Sequence, residues 1–191
     1  MRVTDTITRG FRALSVHYPK ILPADELEGY EAAYNLHPGY LPWGRGHFPL
    51  VWAIWLGEPA GATVHRMTAR VDSGPIVDQV RVPVLALDTA YSLFGRIRHA
   101  ERRLFTTWWQ RIASGRPIPE TPQRSGGSYH SKRDFELLLD TDPAGLAPHA
   151  VDRLTRALTF PGKPGLGSSR RRRANGHASD APFGGGRKET S

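Results

Sequence analysis

The chain contains no cysteine, which excludes a disulfide framework and thiolate chemistry and fits a reducing cytoplasm. No apolar run approaches the ~20 residues that a membrane-crossing helix needs. Met1 to Arg12 is polar and basic with no apolar centre, so it does not read as a signal peptide. A soluble, cytoplasmic protein without a membrane partner is expected. No Gly-x-Gly-x-x-Gly loop stands between a strand and a helix; Gly165-Leu166-Gly167 and the run Gly184 to Gly186 fall near the end of the chain. No pair of histidines has metal-ligand spacing with acidic neighbours, so no metal is expected.

Acidic side chains are also scarce: 18 Asp and Glu against 26 Lys and Arg give a net charge of +8. Much of the excess is local. Arg170 to Arg173 form one block, and residues 161–191 are otherwise rich in Gly, Ser, Pro, Ala and Lys. That composition buries too little apolar surface to offset chain entropy, so a disordered basic tail is expected. Such a tail can bind nucleic acid weakly and non-specifically through counterion release; the plainer reading is a solvated tail. The remainder, with 39% hydrophobic residues, five Trp and seven Phe over the whole chain, suffices for one ordinary core.

The pattern along the chain alternates strands and helices. Phe11 to Tyr18 reads as a strand, Pro19 to Pro23 as a bend, Ala24 to Tyr30 as a short helix start and Ala33 to His37 as the next strand. Phe48, Val51, Trp52, Trp55 and Leu56 crowd at helical spacing before Gly57. Thr63 to Met67 and Pro75 to Val82 read as strands. Thr89 to Ser114 is the longest helix, closed by Gly115 and by Pro117 and Pro119. Gly126 to Phe135 reads as a turn into a short strand or helix, and Leu146 to Phe160 as a further helix. This order predicts an α/β sheet protein.

Within it, Asn35 and His37 stand two residues apart and leave the same face of an extended backbone. Pro38 ends the strand and Gly39 relaxes the turn. Asp72-Ser73-Gly74 closes another strand-end turn. An amide, an imidazole and a carboxylate at strand ends are where α/β sheets keep their chemistry. Taken singly, each residue is also accounted for by a capped turn, a strand-end histidine or a turn aspartate. His65 reads as a strand residue on a half-buried face, and Arg45 as a planar donor fork for phosphate or carboxylate, or a surface loop residue.

The ordered blocks Asn35-Leu36-His37-Pro38-Gly39-Tyr40-Leu41-Pro42-Trp43-Gly44-Arg45-Gly46, Gly61 to Met67 and Val71 to Ile76 resemble the core of the folate-dependent formyltransferases. Those enzymes move a formyl group from N10-formyltetrahydrofolate to an amine. His37-Pro38-Gly39-Tyr40 with Arg45-Gly46-His47-Phe48-Pro49 is most similar to the sugar N-formyltransferases acting on nucleotide-linked 4-amino-4,6-dideoxy sugars, carried by dTDP for instance. The resemblance covers residues 13 to 110 well and extends weakly to about residue 160. It implies a doubly wound, Rossmann-like α/β domain. Met1 stands almost directly on the first strand, so it further implies that the first sheet strands are lacking. The expected organisation is a catalytic core over 1–118, a C-terminal helical extension over 119–160 and the basic tail over 161–191.

The resemblance implies Asn35, His37 and Asp72 as the catalytic residues. Formyl transfer is acyl transfer: an amine attacks the formyl carbon, an oxyanion develops, and a proton leaves the amine. An imidazole with an ordinary pKa of about 6.5 suits the proton transfer. One amide donor to an oxyanion can lower a barrier by ~3 kcal/mol. Asp72 would orient His37 and raise its basicity. By the same resemblance Lys20, Ile21 and Leu22 hold the folate, Ser73 and Gly74 close its pocket, and the segment after Arg153 to Thr159 supports a homodimer. The expected substrates are a nucleotide sugar and the folate donor. Two alternatives stand beside this reading. One is another branch, of the methionyl-tRNA or glycinamide ribonucleotide type; the other is an inactive remnant that only binds.

Overall fold

Residues 11–18 and 20–162 are described by the structure, a computed structural model. The expected tail from residue 163 onward, with its arginine block, lies outside the described residues. Strands β1 (Arg12–Val16), β2 (Ala32–His37), β4 (Ala60–Arg66) and β5 (Ile76–Val82) form one sheet in the order β1-β2-β4-β5. A two-residue strand β3 (Arg45–Gly46) pairs with β6 (Tyr129–His130) as a second small sheet. Helices α1 (Ala24–Leu27), α2 (Pro49–Leu56), α3 (Ala90–Ala113), α4 (Lys132–Leu139) and α5 (Pro148–Ala157) complete the described chain. The mixed α/β architecture agrees with the sequence reading. Its pairing was not legible, however: β1 and β2 run parallel, whereas β2–β4 and β4–β5 are antiparallel.

The sheet separates packing from chemistry by strand parity. On β2 and β4 the even-numbered Tyr34, Leu36, Ala62 and Val64 enter the hydrophobic core. Odd-numbered Asn35, His37, Thr63 and His65 leave the opposite face, because successive side chains on a strand alternate. Antiparallel register sets Asn35 beside His65 and His37 beside Thr63.

Helix α3 lies across all four strands of the main sheet. It starts where the sequence places it: Thr89 Oγ1 accepts from Ser92 N at 3.2 Å, while Ser92 Oγ accepts from Thr89 N at 3.0 Å. This reciprocal cap satisfies two amides that the first turn would otherwise leave unpaired. Leu93, Ile97, Ala100 and Leu104 recur on one stripe and are almost wholly buried. Just before the helix, Asp88 accepts from Arg96 through both oxygens and from Leu85 N and Ser92 Oγ. Burial pushes its carboxyl up, but Arg96 and these donors outweigh it and hold the pKa at about 2.

Helix α2 is buried from Pro49 through Ile54 with no polar face. A helix apolar all round belongs inside a core, and α2 sits against α3, α5 and β4. Residues 119–160 share that core through Phe135, Leu138, Leu139, Leu154 and Leu158. Among the described residues no helix is long and apolar enough to cross a membrane. Leu93 has no solvent exposure, so Leu93→Ala is expected to lower the unfolding free energy by about 2–5 kcal/mol, measured by urea denaturation with an unchanged slope.

Candidate active site

Asn35 and His37 end β2, and the turn after β4 brings Asp72 beneath them. Asp72 has a left-handed backbone, φ 49°, a conformation that Asp tolerates better than most non-glycine residues. Its carboxylate is surrounded. Oδ2 accepts from Gly46 N at 2.9 Å and lies 3.6 Å from His37 Nδ1. Oδ1 accepts from Asn35 Nδ2 at 3.4 Å and lies 3.4 Å from His65 Nε2. Burial opposes its charge, yet His37, His65 and the Gly46 amide together hold the carboxyl well below the usual carboxylate range. The anion is therefore fixed.

His37 is 4% exposed. Its Nε2 donates to the Gly44 carbonyl at 2.9 Å. In the neutral ring this bond leaves the Nδ1 lone pair toward Asp72. Burial lowers the His37 pKa below 6.5, partly countered by the Asp72 charge and the Gly44 bond and reinforced by His65. At neutral pH the imidazole is unprotonated, the form a general base requires. A proton arriving at Nδ1 would face a carboxylate 3.6 Å away, and the resulting imidazolium would have an acceptor on each nitrogen.

These groups open on a cleft of about 400 Å³, within the size range of small-molecule sites. Asn35, His37 and Asp72 line it together with Lys20, Ile21, Leu22, Met67 and Val71. The sequence-predicted catalytic trio and three of the five expected folate residues thus converge. Ser73 and Gly74 do not line the cleft. Ser73 Oγ donates to Arg70 O at 2.8 Å, closing the turn on itself. Gly74 is pressed on β4, where a Cβ would stand 1.9 Å from the Arg66 carbonyl oxygen. Arg45 also points elsewhere, its Nε donating to Ser128 O at 3.2 Å.

His65 is the main residue the sequence reading missed. It is 1% exposed, not half-buried, and its ring meets His37 edge-on at 6.2 Å. Alternation with Thr63 hinted at its face, but only the β2–β4 register places it beside Asn35. At the cleft's edge His17 Nε2 pairs with Glu101 at 3.0 Å, and that hydrogen bond raises the His17 pKa against the effect of burial. Among the described residues no three His, Cys, Asp or Glu groups are arranged to hold a metal ion.

A neutral buried histidine, a carboxamide and a fixed carboxylate thus share the end of one cleft of small-molecule size. The chain belongs to the formyl transferase family, which residues 12–108 match. It is 34% identical over 160 residues to the dTDP-4-amino-4,6-dideoxyglucose formyltransferases of Mycobacterium bovis and Mycobacterium tuberculosis, covering 83% of this chain and 67% of theirs. Among solved structures, a 4-N formyltransferase from Francisella tularensis superposes with TM-score 0.72 at 29% identity, covering 79% of this chain and 62% of that one. A formyltransferase from Anoxybacillus kamchatkensis, solved with UDP-4,6-dideoxy-4-formamido-L-AltNAc and tetrahydrofolate, gives TM-score 0.61 at 35% identity over 68% of this chain and 70% of that one. This chain spans about two thirds of the length of these relatives.

Because Asp72 raises the His37 pKa, Asp72→Asn is expected to move the imidazole titration further below 6.5. An NMR pH titration of the His37 ring checks the direction of that shift.

Proposed function

We propose that the chain transfers a formyl group from N10-formyltetrahydrofolate to the amino group of a nucleotide-linked 4-amino-4,6-dideoxy sugar. The observation that carries this reading is the convergence of Asn35, His37 and Asp72 on one cleft within a formyl transferase fold. The donor supplies an activated formyl carbon. His37 Nδ1 takes the proton released as the sugar amine attacks, and Asp72 stabilises the imidazolium. Asn35 donates to the oxygen on which charge develops. Its present contacts from Nδ2, at 3.4 Å to Asp72 and to His65, are long, so a hydrogen can be redirected from either of them. Return of the proton from His37 lets the donor nitrogen depart as an amine, which restores the neutral ring.

Ile21, Leu22, Met67 and Val71 give the cleft apolar walls suited to a pterin ring, with Lys20 at hand for a charged group. We assign catalysis to residues 1–118 and a supporting role to 119–160. Ser73 and Gly74 belong to this reading only as the turn that holds Asp72. The sugar branch is favoured over the methionyl-tRNA and glycinamide ribonucleotide branches by the 34% identity to the dTDP-amino-sugar enzymes. A homodimer, cytoplasmic residence and weak nucleic-acid binding by the tail complete the reading.

Incubation with N10-formyltetrahydrofolate and a panel of nucleotide amino sugars, followed by mass spectrometry, should show gain of one formyl group on one of them. His37→Ala should lower that rate by about 10²–10⁴-fold, the usual contribution of general base catalysis, and Asn35→Ala by about 10²–10³-fold. Wild-type turnover in His37→Ala would refute the assigned base.

A further inference from the structure

The turn Gly126-Gly127-Ser128 lies far along the sequence from the site, yet Ser128 grips the segment on which His37 rests. Ser128 Oγ accepts from Gly44 N at 2.8 Å, and Ser128 O accepts from Arg45 N at 3.1 Å and Arg45 Nε at 3.2 Å. The peptide between these amides carries the Gly44 carbonyl that accepts from His37 Nε2 at 2.9 Å. Ser128 in turn donates to Glu58 Oε2 at 2.8 Å, and Glu58 Oε1 is held by His130 Nε2 at 3.0 Å. His130 stacks on the Trp52 ring with centroids 4.1 Å apart.

Two features show that this clamp is built rather than incidental. Gly127 has φ +80°, and a Cβ there would stand 2.1 Å from the Pro42 carbonyl oxygen, so glycine lets the turn press against residues 41–45. Ser128 N donates to that same oxygen at 3.1 Å, and His47 N donates to His130 O at 2.8 Å. The hydrogen-bonding capacity of the 44–45 peptide is thereby used on both sides: its carbonyl faces His37 and its N–H faces Ser128.

A carbonyl can only accept. Where it stands decides which ring nitrogen keeps the proton in neutral His37, and therefore which nitrogen is basic. We propose that Ser128, anchored by Glu58, is a positioning residue for formyl transfer: it fixes the Gly44 carbonyl so that His37 is protonated at Nε2 and basic at Nδ1. Ser128 lies outside the cleft lining and makes no bond to the His37 ring; it acts through the two peptides that flank Gly44. The inference rests on the assignment of His37 as the base, and it brings residues of the C-terminal extension into the catalytic apparatus.

The test is ¹⁵N NMR of histidine-labelled full-length protein, with the His37 signals assigned through His37→Gln. Wild type is expected to show a protonated Nε2 and a lone pair at Nδ1. Ser128→Ala should give a mixture of tautomers, and kcat should fall by roughly 10- to 100-fold, part of what a general base contributes in full. KM should stay close to wild type, because the lost interaction serves the transition state. Ser128→Thr, which keeps the hydroxyl, should restore both readouts. Should Ser128→Ala fail to fold, Glu58→Gln is expected to move the tautomer ratio in the same direction by less. An unchanged tautomer with an unchanged pH–rate profile in the folded variants would overturn the proposal. If no amino sugar is formylated, the proposed function fails, while the tautomer measurement still decides the role of Ser128.

Discussion

One largely enclosed carboxylate, that of Asp72, organises the site. Asp72 is kept ionised in a place where an unpaired anion would be strongly disfavoured. Its partners come from three separate segments: Asn35 and His37 from the end of β2, Gly46 from β3, and His65 from β4. Because the charge is tolerated only while the Gly46 and Asn35 donors and the two imidazoles surround it, the segments are obliged to meet. The left-handed backbone at Asp72 stores strain on the order of 1–3 kcal/mol, and strain of that size persists only where the surroundings over-determine it.

The site also depends on what lies behind it. The even positions of β2 and β4 are locked against α3, so the odd positions cannot rotate away from the cleft. A slip of β2 by one residue against β4 would turn Asn35 and His37 into the core and Leu36 out of it, parting them from His65. The apolar seam under α3 and the polar cluster above it enforce the same register from opposite faces. Burial then does chemical work as well: it keeps His37 neutral, while Asp72 limits how far its basicity falls.

The C-terminal extension is bound into this arrangement and does not hang from it. Thr121 exchanges both backbone bonds with Ile76 at the start of β5, each 2.8 Å. Gln123 Nε2 donates to Asp72 O at 2.8 Å and to Gly74 O at 2.9 Å, fixing the backbone that aims the carboxylate. With β6 paired to β3, residues 119–130 brace both the Asp72 turn and the segment beneath His37. Tyr34 and Arg66 converge on Glu120 from the same side, and burial together with that carboxylate pushes the Tyr34 hydroxyl up to about 12. The Tyr34 hydroxyl therefore keeps its proton at neutral pH and goes on donating to Glu120.

Local physics in the sequence was enough to mark out the longer elements, though not the two-residue strand β3. Apolar spacing and the Thr89 and Gly115 boundaries fixed α3 almost to the residue, since caps and periodicity act within a few positions. The one-residue alternation from Asn35 to His37 set both on a common face for the same reason, and the three family blocks named the trio. What no local pattern encodes is which strands are neighbours. The antiparallel β2–β4 pairing, the promotion of His65 from strand filler to partner of Asp72, and the exclusion of Ser73 and Gly74 from the cleft were decided only when the chain closed on itself. The role of Ser128 was hidden for the same reason: its bonds to Gly44 span 84 positions, and contacts at that separation exist only once the tertiary fold has brought their ends together.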